Sequence, residues 1–228
     1  MKRCLGVIVA RGGSKGVKNK NWRLAAGKPL IAWTIEAAVQ SGNIDNLILS
    51  SDSNKIIQVA NKWGCSSPFV RPSYLATDEA RSIDVVLHAI KNTPRHEYIM
   101  LLQPTSPLRL SKDIDEAFEL LLHNDAPSCA SIVESKETPY WMYNLNSNAK
   151  LSNIISSQKA YTRRQDVPKS YLLNGAIYIA KTSWLLENKC FVSSDTIGYE
   201  MPAERSLDID TLEDFKNACQ SLSSKSTS

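Results

Sequence analysis

The sequence predicts an α/β fold: a mostly parallel, Rossmann-like sheet flanked by helices. Short apolar runs rich in branched residues read as strands buried on both faces. Between them lie segments with helical periodicity, and strands alternating with helices favour right-handed parallel crossovers. The first apolar run is followed at once by Arg11-Gly-Gly-Ser-Lys-Gly16, a glycine- and cation-rich loop.

In order, Cys4 to Ala10 is the first expected strand, with a loop to about Lys28. Pro29 opens a helix carrying Leu30, Ile31, Trp33 and Ala37 that stops near Gly42. Asn46 to Ser50 is a second strand, and Asp52 or Ser53 caps a helix with Ile56, Ile57, Val59 and Ala60 on one side. A short strand is expected near Phe69-Val70, a helix at Val85 to Ile90, and a strand at Tyr98 to Leu102. Ser111 caps a helix over Ile114 to Leu122, and Ser128 to Val133 is a further strand. The alternation fails over 137–173, rich in Tyr, Asn, Ser and Pro, which reads as an inserted arm. Asn174 to Ala180 restores a strand, Ile209 lies in a short one, and Leu212 to Ala218 fits a last helix. The expected organisation is a single domain over 1–228, with 221–228 as a flexible tail.

With 228 residues, 43% of them hydrophobic, the chain can bury a full core without disulfides or metals. A net charge of +4 is too mild to make nucleic acid the default partner. The distribution is uneven, however. Lys2, Arg3, Arg11, Lys15, Lys18, Lys20, Arg23 and Lys28 all precede the first acidic residue, Glu36. Such a cluster fits a small polyanion, or a solvated basic face. Five scattered cysteines with no CxxC pair support neither a zinc knuckle nor a redox motif, and fit a reducing cytoplasm. Met1-Lys-Arg and the apolar run after it imitate a signal peptide, but the run ends in Arg-Gly-Gly-Ser-Lys without a cleavage-like segment. No run approaches membrane-spanning length, so a soluble protein without a membrane partner is expected.

In an open parallel sheet, ligands bind beyond the carboxyl ends of the strands. Gly12, Gly13 and Gly16 remove side chains so that backbone N–H groups can approach phosphate oxygens, and Arg11, Lys15 and Lys20 add the charge a triphosphate requires. The competing reading is a simple turn. The Walker A spacing is absent, and the adjacency of Gly12 and Gly13 breaks the dinucleotide fingerprint. His88, His96 and His123 are isolated and read as core or surface residues.

Ala10-Arg-Gly-Gly-Ser-Lys-Gly-Val-Lys-Asn-Lys-Asn21 closely resembles the nucleotide-binding signature of the CMP-sialic acid synthetases (N-acylneuraminate cytidylyltransferases), a family that includes the CMP-legionaminic acid synthetases. The likeness continues, in the family's order, through Arg71-Pro72, Leu75-Ala-Thr-Asp78, Ser82, Leu102-Gln-Pro-Thr-Ser-Pro-Leu-Arg109, Arg164-Gln-Asp-Val-Pro168, Asn174-Gly-Ala-Ile-Tyr178 and Asp208-Ile-Asp210. The resemblance implies the nucleotide-diphospho-sugar transferase type of sheet. It also implies a reaction: CTP and a nine-carbon α-keto acid sugar give the CMP-sugar and pyrophosphate, by attack of the anomeric hydroxyl on the α-phosphorus. CMP-pseudaminate synthesis, or a non-catalytic nucleotide-binding module of the same fold, is the alternative.

The resemblance also assigns roles. Arg11, Ser14, Lys15 and Lys20 would hold phosphates beside Gly12 and Gly13, while Asn21, Arg71, Ala76 and Ser82 would hold the nucleoside. Arg11, Lys15, Lys20, Asp208 and Asp210 would be the catalytic set. On a strand, Asp208 and Asp210 face the same way, and two hard carboxylates plus triphosphate oxygens suit Mg²⁺, with Mn²⁺ as a substitute. The competing reading is N-capping of the last helix, which explains one carboxylate but not both. Gln103, Thr105, Ser106, Arg164 and Tyr178 would form the sugar pocket, with the Arg164 guanidinium suited to the sugar carboxylate. By the same resemblance, 137–173 is a dimerisation arm of a homodimer, with Phe191 near the partner's sugar site and Val192 in place of a bulkier second residue. Trp141 stands where some sialic acid enzymes carry lysine, which hints at a less polar sugar such as legionaminic acid.

Overall fold

Alternating side chains of the apolar runs fill two layers, one on each face of a central sheet. The computed structural model describes residues 4–155 and 161–225. Lys2 and Arg3 of the basic cluster, 156–160 of the arm and the last three residues of the expected tail lie outside the described residues. In order, the elements are β1 (Cys4–Val9), β2 (Leu24–Ala25), β3 (Lys28–Pro29), α1 (Leu30–Val39), β4 (Asn46–Ser50), α2 (Asn54–Lys62), α3 (Ser82–Lys91) and β5 (Tyr98–Leu102). Then come α4 (Ser111–His123), β6 (Ser128–Glu134), β7 (Tyr143–Leu145), β8 (Leu151–Asn153), β9 (Tyr171–Lys181), α5 (Thr182–Asn188), β10 (Ile197–Glu200) and α6 (Leu212–Lys225).

The sheet order is β10-β6-β9-β5-β1-β4. β1 runs parallel to β4 and β5, β10 runs parallel to β6, and β9 is antiparallel to both its neighbours. The chain leaves β1 first to one side and later to the other, so β1 marks the switch point where a crevice opens. Val9 pairs with Ser50 and Ile8 with Leu102, which brings the carboxyl ends of β1, β4 and β5 level. The period-2 alternation sends Cys4 and Ile8 to the layer of α1, α2 and α4, beside Ile35, Ile56 and Phe118. Leu5 and Val7 go to the opposite layer, against Ile83 and Val86 of α3 and Leu185 of α5. A third cluster joins α6 to the first loop through Val17, Leu30, Ile209, Phe215 and Leu222.

Several expectations need correction. Phe69-Val70 forms no strand: the only pairing there is an isolated bridge from Ile48 to Ser66, and Val70 is exposed. Ile209 lies in no strand either, and its N–H donates a single bond to the Thr105 carbonyl at 2.9 Å. α4 is capped at Leu110, whose N–H donates to Asp113 (2.9 Å), rather than by Ser111. α2 begins after Ser53 without a side-chain cap, because the Asp52 carboxylate is engaged elsewhere. α5 was not foreseen, being a single short run beyond β9. The last helix continues through Lys225 instead of fraying at 221, since Leu222 is buried against the third cluster. Within 137–173, β7 and β8 pair as an antiparallel hairpin with every residue exposed. No helix of the described residues is long and apolar enough to cross a membrane.

Candidate functional site

The loop after β1 forms one wall of a cleft at the switch point. A cavity of about 320 Å³ is lined by Arg11, Ser14, Lys15, Lys20, Asn21 and Gln103, with Thr105 and Asp210 opposite. A second, of about 250 Å³, shares Val9, Arg11 and Gln103 with it and is lined further by Arg71, Asp78 and Ser82. The loop's glycines serve different ends. A Cβ on Gly16 would stand 1.9 Å from the Asp210 carbonyl oxygen, so only glycine lets the loop lie against 208–210. The Gly12 N–H donates to Asp52 Oδ1 at 2.9 Å, so in this conformation it is not free for a phosphate. Gly13 faces open space. Asn21, buried, donates from Nδ2 to the Arg11 carbonyl (3.0 Å) and holds the loop's first residue in place.

Lys20 reaches across the chain. Its Nζ donates to the Ile209 carbonyl at 2.7 Å, between the two aspartates. Burial lowers its pKa, while Asp210 and Asp208 pull it back up. Burial raises the Asp208 carboxyl, with Asp210 reinforcing and Lys20 opposing. Among the described residues, buried Asp208 Oδ1 has no hydrogen-bond partner. A buried, unpartnered carboxylate oxygen beside a second carboxylate suits a divalent cation. Among the described residues no group of three or more His, Cys, Asp or Glu gathers. Thr211 caps the last helix, its Oγ1 accepting from the Asp214 N–H (3.2 Å) while the Asp214 carboxylate accepts from the Asp210 and Thr211 N–H groups, so the Asp210 carboxylate is not the cap.

The floor of the cleft is a bulge in β9. Gly175 has φ +73°, and a Cβ there would meet Asp208 Oδ2 at 3.5 Å. Asn174 pins the bulge, accepting from Ser131 Oγ (2.5 Å) and the Ala176 N–H and donating to Ser206 Oγ. Tyr178 follows, half-buried against Phe191 at 5.7 Å between ring centroids; burial and then Asp208 raise its pKa. In the second cavity, Arg71 is buried, its Nε donating to Ser50 Oγ (3.2 Å) and its Nη2 to the Ser50 carbonyl. Burial lowers it to about 10. Ala76 closes the short turn 73–75 beside the cavity residues Leu75 and Thr77.

Three expected site residues fall elsewhere. Ser106 is fully buried in the turn back to Gln103 and presents no surface to a ligand. Arg164 is exposed in a short turn of the arm and lines neither cavity. Phe191 is 8% exposed in its own chain's core, whereas Val192 beside it is 42% exposed. In this conformation Phe191 is not poised to reach a partner.

The sequence reading named Asp52 as a possible helix cap and Asp78 and Arg109 within matching blocks, but gave none of them a role in the site. Asp52 follows β4, and the switch-point rule could have found it. Arg109 is 2% exposed, and its Nη1 donates to the Ala176 (2.6 Å) and Gln103 (3.4 Å) carbonyls, tying two walls of the cleft together. A larger cavity, about 620 Å³, lies at the amino end of β5 beside His96 and Thr182, the opposite end of the sheet from the switch-point cleft. His88 packs edge-on against Phe69, consistent with a structural role.

The comparisons with known proteins agree with this geometry. The family model described as Cytidylyltransferase matches residues 5–218. An N-acylneuraminate cytidylyltransferase of Streptococcus agalactiae serotype III (strain NEM316) is 37% identical over 211 residues, 92% of this chain and 51% of the relative. The chain thus spans about half the length of that relative. A CMP-N,N'-diacetyllegionaminic acid synthase of Legionella pneumophila is 37% identical, covering 92% of this chain and 91% of the relative. A pseudaminic acid cytidylyltransferase of Campylobacter jejuni is 36% identical over 93% of each. Among solved structures, CMP:2-keto-3-deoxy-manno-octonic acid synthetase complexed with CTP superposes with a TM-score of 0.73 at 16% identity, over 98% of this chain and 100% of that one. At that identity the likeness speaks for the fold, and the sequence relatives speak for descent. The chain belongs to the cytidylyltransferase family.

Proposed function

We propose that this chain transfers a cytidylyl group from CTP to the anomeric hydroxyl of a nine-carbon α-keto acid sugar, releasing pyrophosphate. The observation that carries the reading is Lys20 bonded to the Ile209 carbonyl between Asp208 and Asp210, at the end of the glycine loop. One cleft would thereby bring cations for a polyphosphate beside a carboxylate pair suited to a metal. The names of the relatives, N-acylneuraminate, N,N'-diacetyllegionaminate and pseudaminate enzymes, supply the substrate class.

In this reading Arg11, Ser14, Lys15 and Lys20 hold the phosphates, and Asn21, Arg71 and Ser82 border the nucleoside. Gln103, Thr105 and Tyr178 face the sugar. Asp208 and Asp210 would hold Mg²⁺, or Mn²⁺ in its place, which when bound neutralises charge on the phosphates. The anomeric oxygen forms a bond to the α-phosphorus, the bond to the bridging oxygen of pyrophosphate breaks, and the hydroxyl proton passes to solvent or a basic group. The chain's own contribution is alignment and charge placement, the main source of rate in such transfers. The exposed apolar residues of the arm, among them Leu145, Leu151, Ile154, Leu172 and Leu173, support a homodimer built through 137–173. Five free cysteines fit work in a reducing cytoplasm.

The test is incubation with CTP, Mg²⁺ and, in turn, N-acetylneuraminic, legionaminic, pseudaminic and Kdo acids, with mass spectrometry of the products. A CMP-sugar from one of the nine-carbon acids is expected. No CMP-sugar from any of them would overturn the reading.

A further inference from the structure

Resting on that reading of the cleft, we propose that Asp78 is a residue of the polyphosphate site that exchanges with the ligand. It holds the loop's cations in the free protein and yields them to phosphate oxygens when nucleotide enters. Both its carboxylate oxygens are engaged: Oδ1 pairs with Arg11 Nη2 at 2.5 Å and Oδ2 with Lys15 Nζ. These are two of the cations that the loop offers to the cavity. The pairs depress the Asp78 carboxyl, Lys15 and then Arg11 being the largest causes.

A carboxylate bridging two cations of a phosphate loop is an internal anion in the ligand's place. It keeps Arg11 and Lys15 ordered and aimed, which lessens the ordering cost of binding. It also competes with the ligand. The contact is exchangeable, because the Lys15 side chain is 78% exposed and the Asp78 side chain 37%, and ion pairs in water are weak. A triphosphate brings several charged oxygens and can satisfy both cations at once. Asp78 lies outside any helix or strand, between the turn 73–75 and α3. The same segment supplies Thr77, Ala80 and Ser82 to the nucleoside-side cavity, so releasing Asp78 also frees that wall. Asp78 would thus set the affinity for CTP, and its return after transfer would help expel pyrophosphate.

The test is calorimetric titration of CTP, inorganic pyrophosphate and CMP into the wild-type chain, Asp78→Asn and Asp78→Ala. Removing the competing charge is expected to tighten CTP and pyrophosphate about three- to tenfold, an effect of the size that exposed ion pairs permit. CMP, which lacks the β- and γ-phosphates, should change less than about twofold on the same basis. Unchanged or weaker CTP and pyrophosphate binding in both variants overturns the exchange, while CTP binding to the wild type would leave the cytidylyl reading standing. Tighter pyrophosphate with no CTP binding to any form supports the exchange and removes the cytidylyl reading. Binding of neither anion to any form overturns both.

Discussion

Lys20, Gly16 and the buried cysteines make different demands on one chain. Among the described residues the Lys20 side chain donates one hydrogen bond, to the Ile209 carbonyl. Lys20→Ala is therefore expected to lower turnover about 10²- to 10³-fold, as loss of a preorganised charge does. Its cost in stability should be only about 1 kcal/mol; steady-state kinetics beside urea unfolding separates the two. Gly16→Ala tests geometry instead of charge. A methyl group 1.9 Å from the Asp210 carbonyl must push the loop away from 208–210, and an ångström of misplacement costs about 10²-fold in rate. Burial raises the thiols of Cys4, Cys65 and Cys129, the last two to about 12, while Cys190 and Cys219 are only half-buried. Thiolate is the reactive form, so iodoacetamide at pH 8 should label Cys190 and Cys219 in the native protein and spare the other three. Peptide mass spectrometry reads the result. Gly16 was legible in the sequence as part of a phosphate loop. That its role is to admit a carbonyl from nearly 200 residues away was not, because close approach leaves no mark on sequence spacing.

Strands and helices with clear periodicity were legible where burial enforces them. Leu47–Leu49 and Tyr98–Leu102 are continuous apolar runs, the first in the edge strand β4 and the second in the interior strand β5, and both strands form as expected. The expectation failed where polar tertiary contacts decide. Phe69-Val70 has strand-like residues, but its segment meets the edge strand β4 in an isolated bridge from Ser66 to Ile48 and then leaves the sheet with Val70 exposed. Ser111 looks like a helix cap, yet Asp113 caps the helix through Leu110. Asp113 also joins α4 to the turn before Asp208: it is fully buried and accepts from Arg205 Nη2 at 2.7 Å and from its Nε. Asp113→Asn leaves Arg205 only its longer, exposed pair with Glu204 (3.8 Å) and should destabilise the protein by about 3 kcal/mol. A lower urea midpoint with an unchanged slope would confirm it; an unchanged midpoint would show that the pair carries no net stability.

For the molecule as a whole, the sheet puts the switch point, the glycine loop and the carboxylate pair at one end, and the order of motifs along the chain already announced this. Two features depended on the three-dimensional arrangement: Phe191 turns into its own core, and Arg164 stands on the arm away from both cavities. The arm's exposed apolar residues are the surface on which the proposed homodimer would rest. Leu145→Asp combined with Leu151→Asp should convert a dimer to monomers in analytical ultracentrifugation, with little change in the circular dichroism of the sheet domain. Monomers already present in the wild type at micromolar concentration would remove the dimer from the account. The joining of activity to the cleft is tested by continuous pyrophosphate release from CTP and a nonulosonic acid, comparing the wild type with Asp208→Asn. Release that requires both substrates and falls at least about 10²-fold in the variant is expected. Release that is independent of the sugar acid, or undiminished by the substitution, would contradict the assignment of this cleft as the place of transfer.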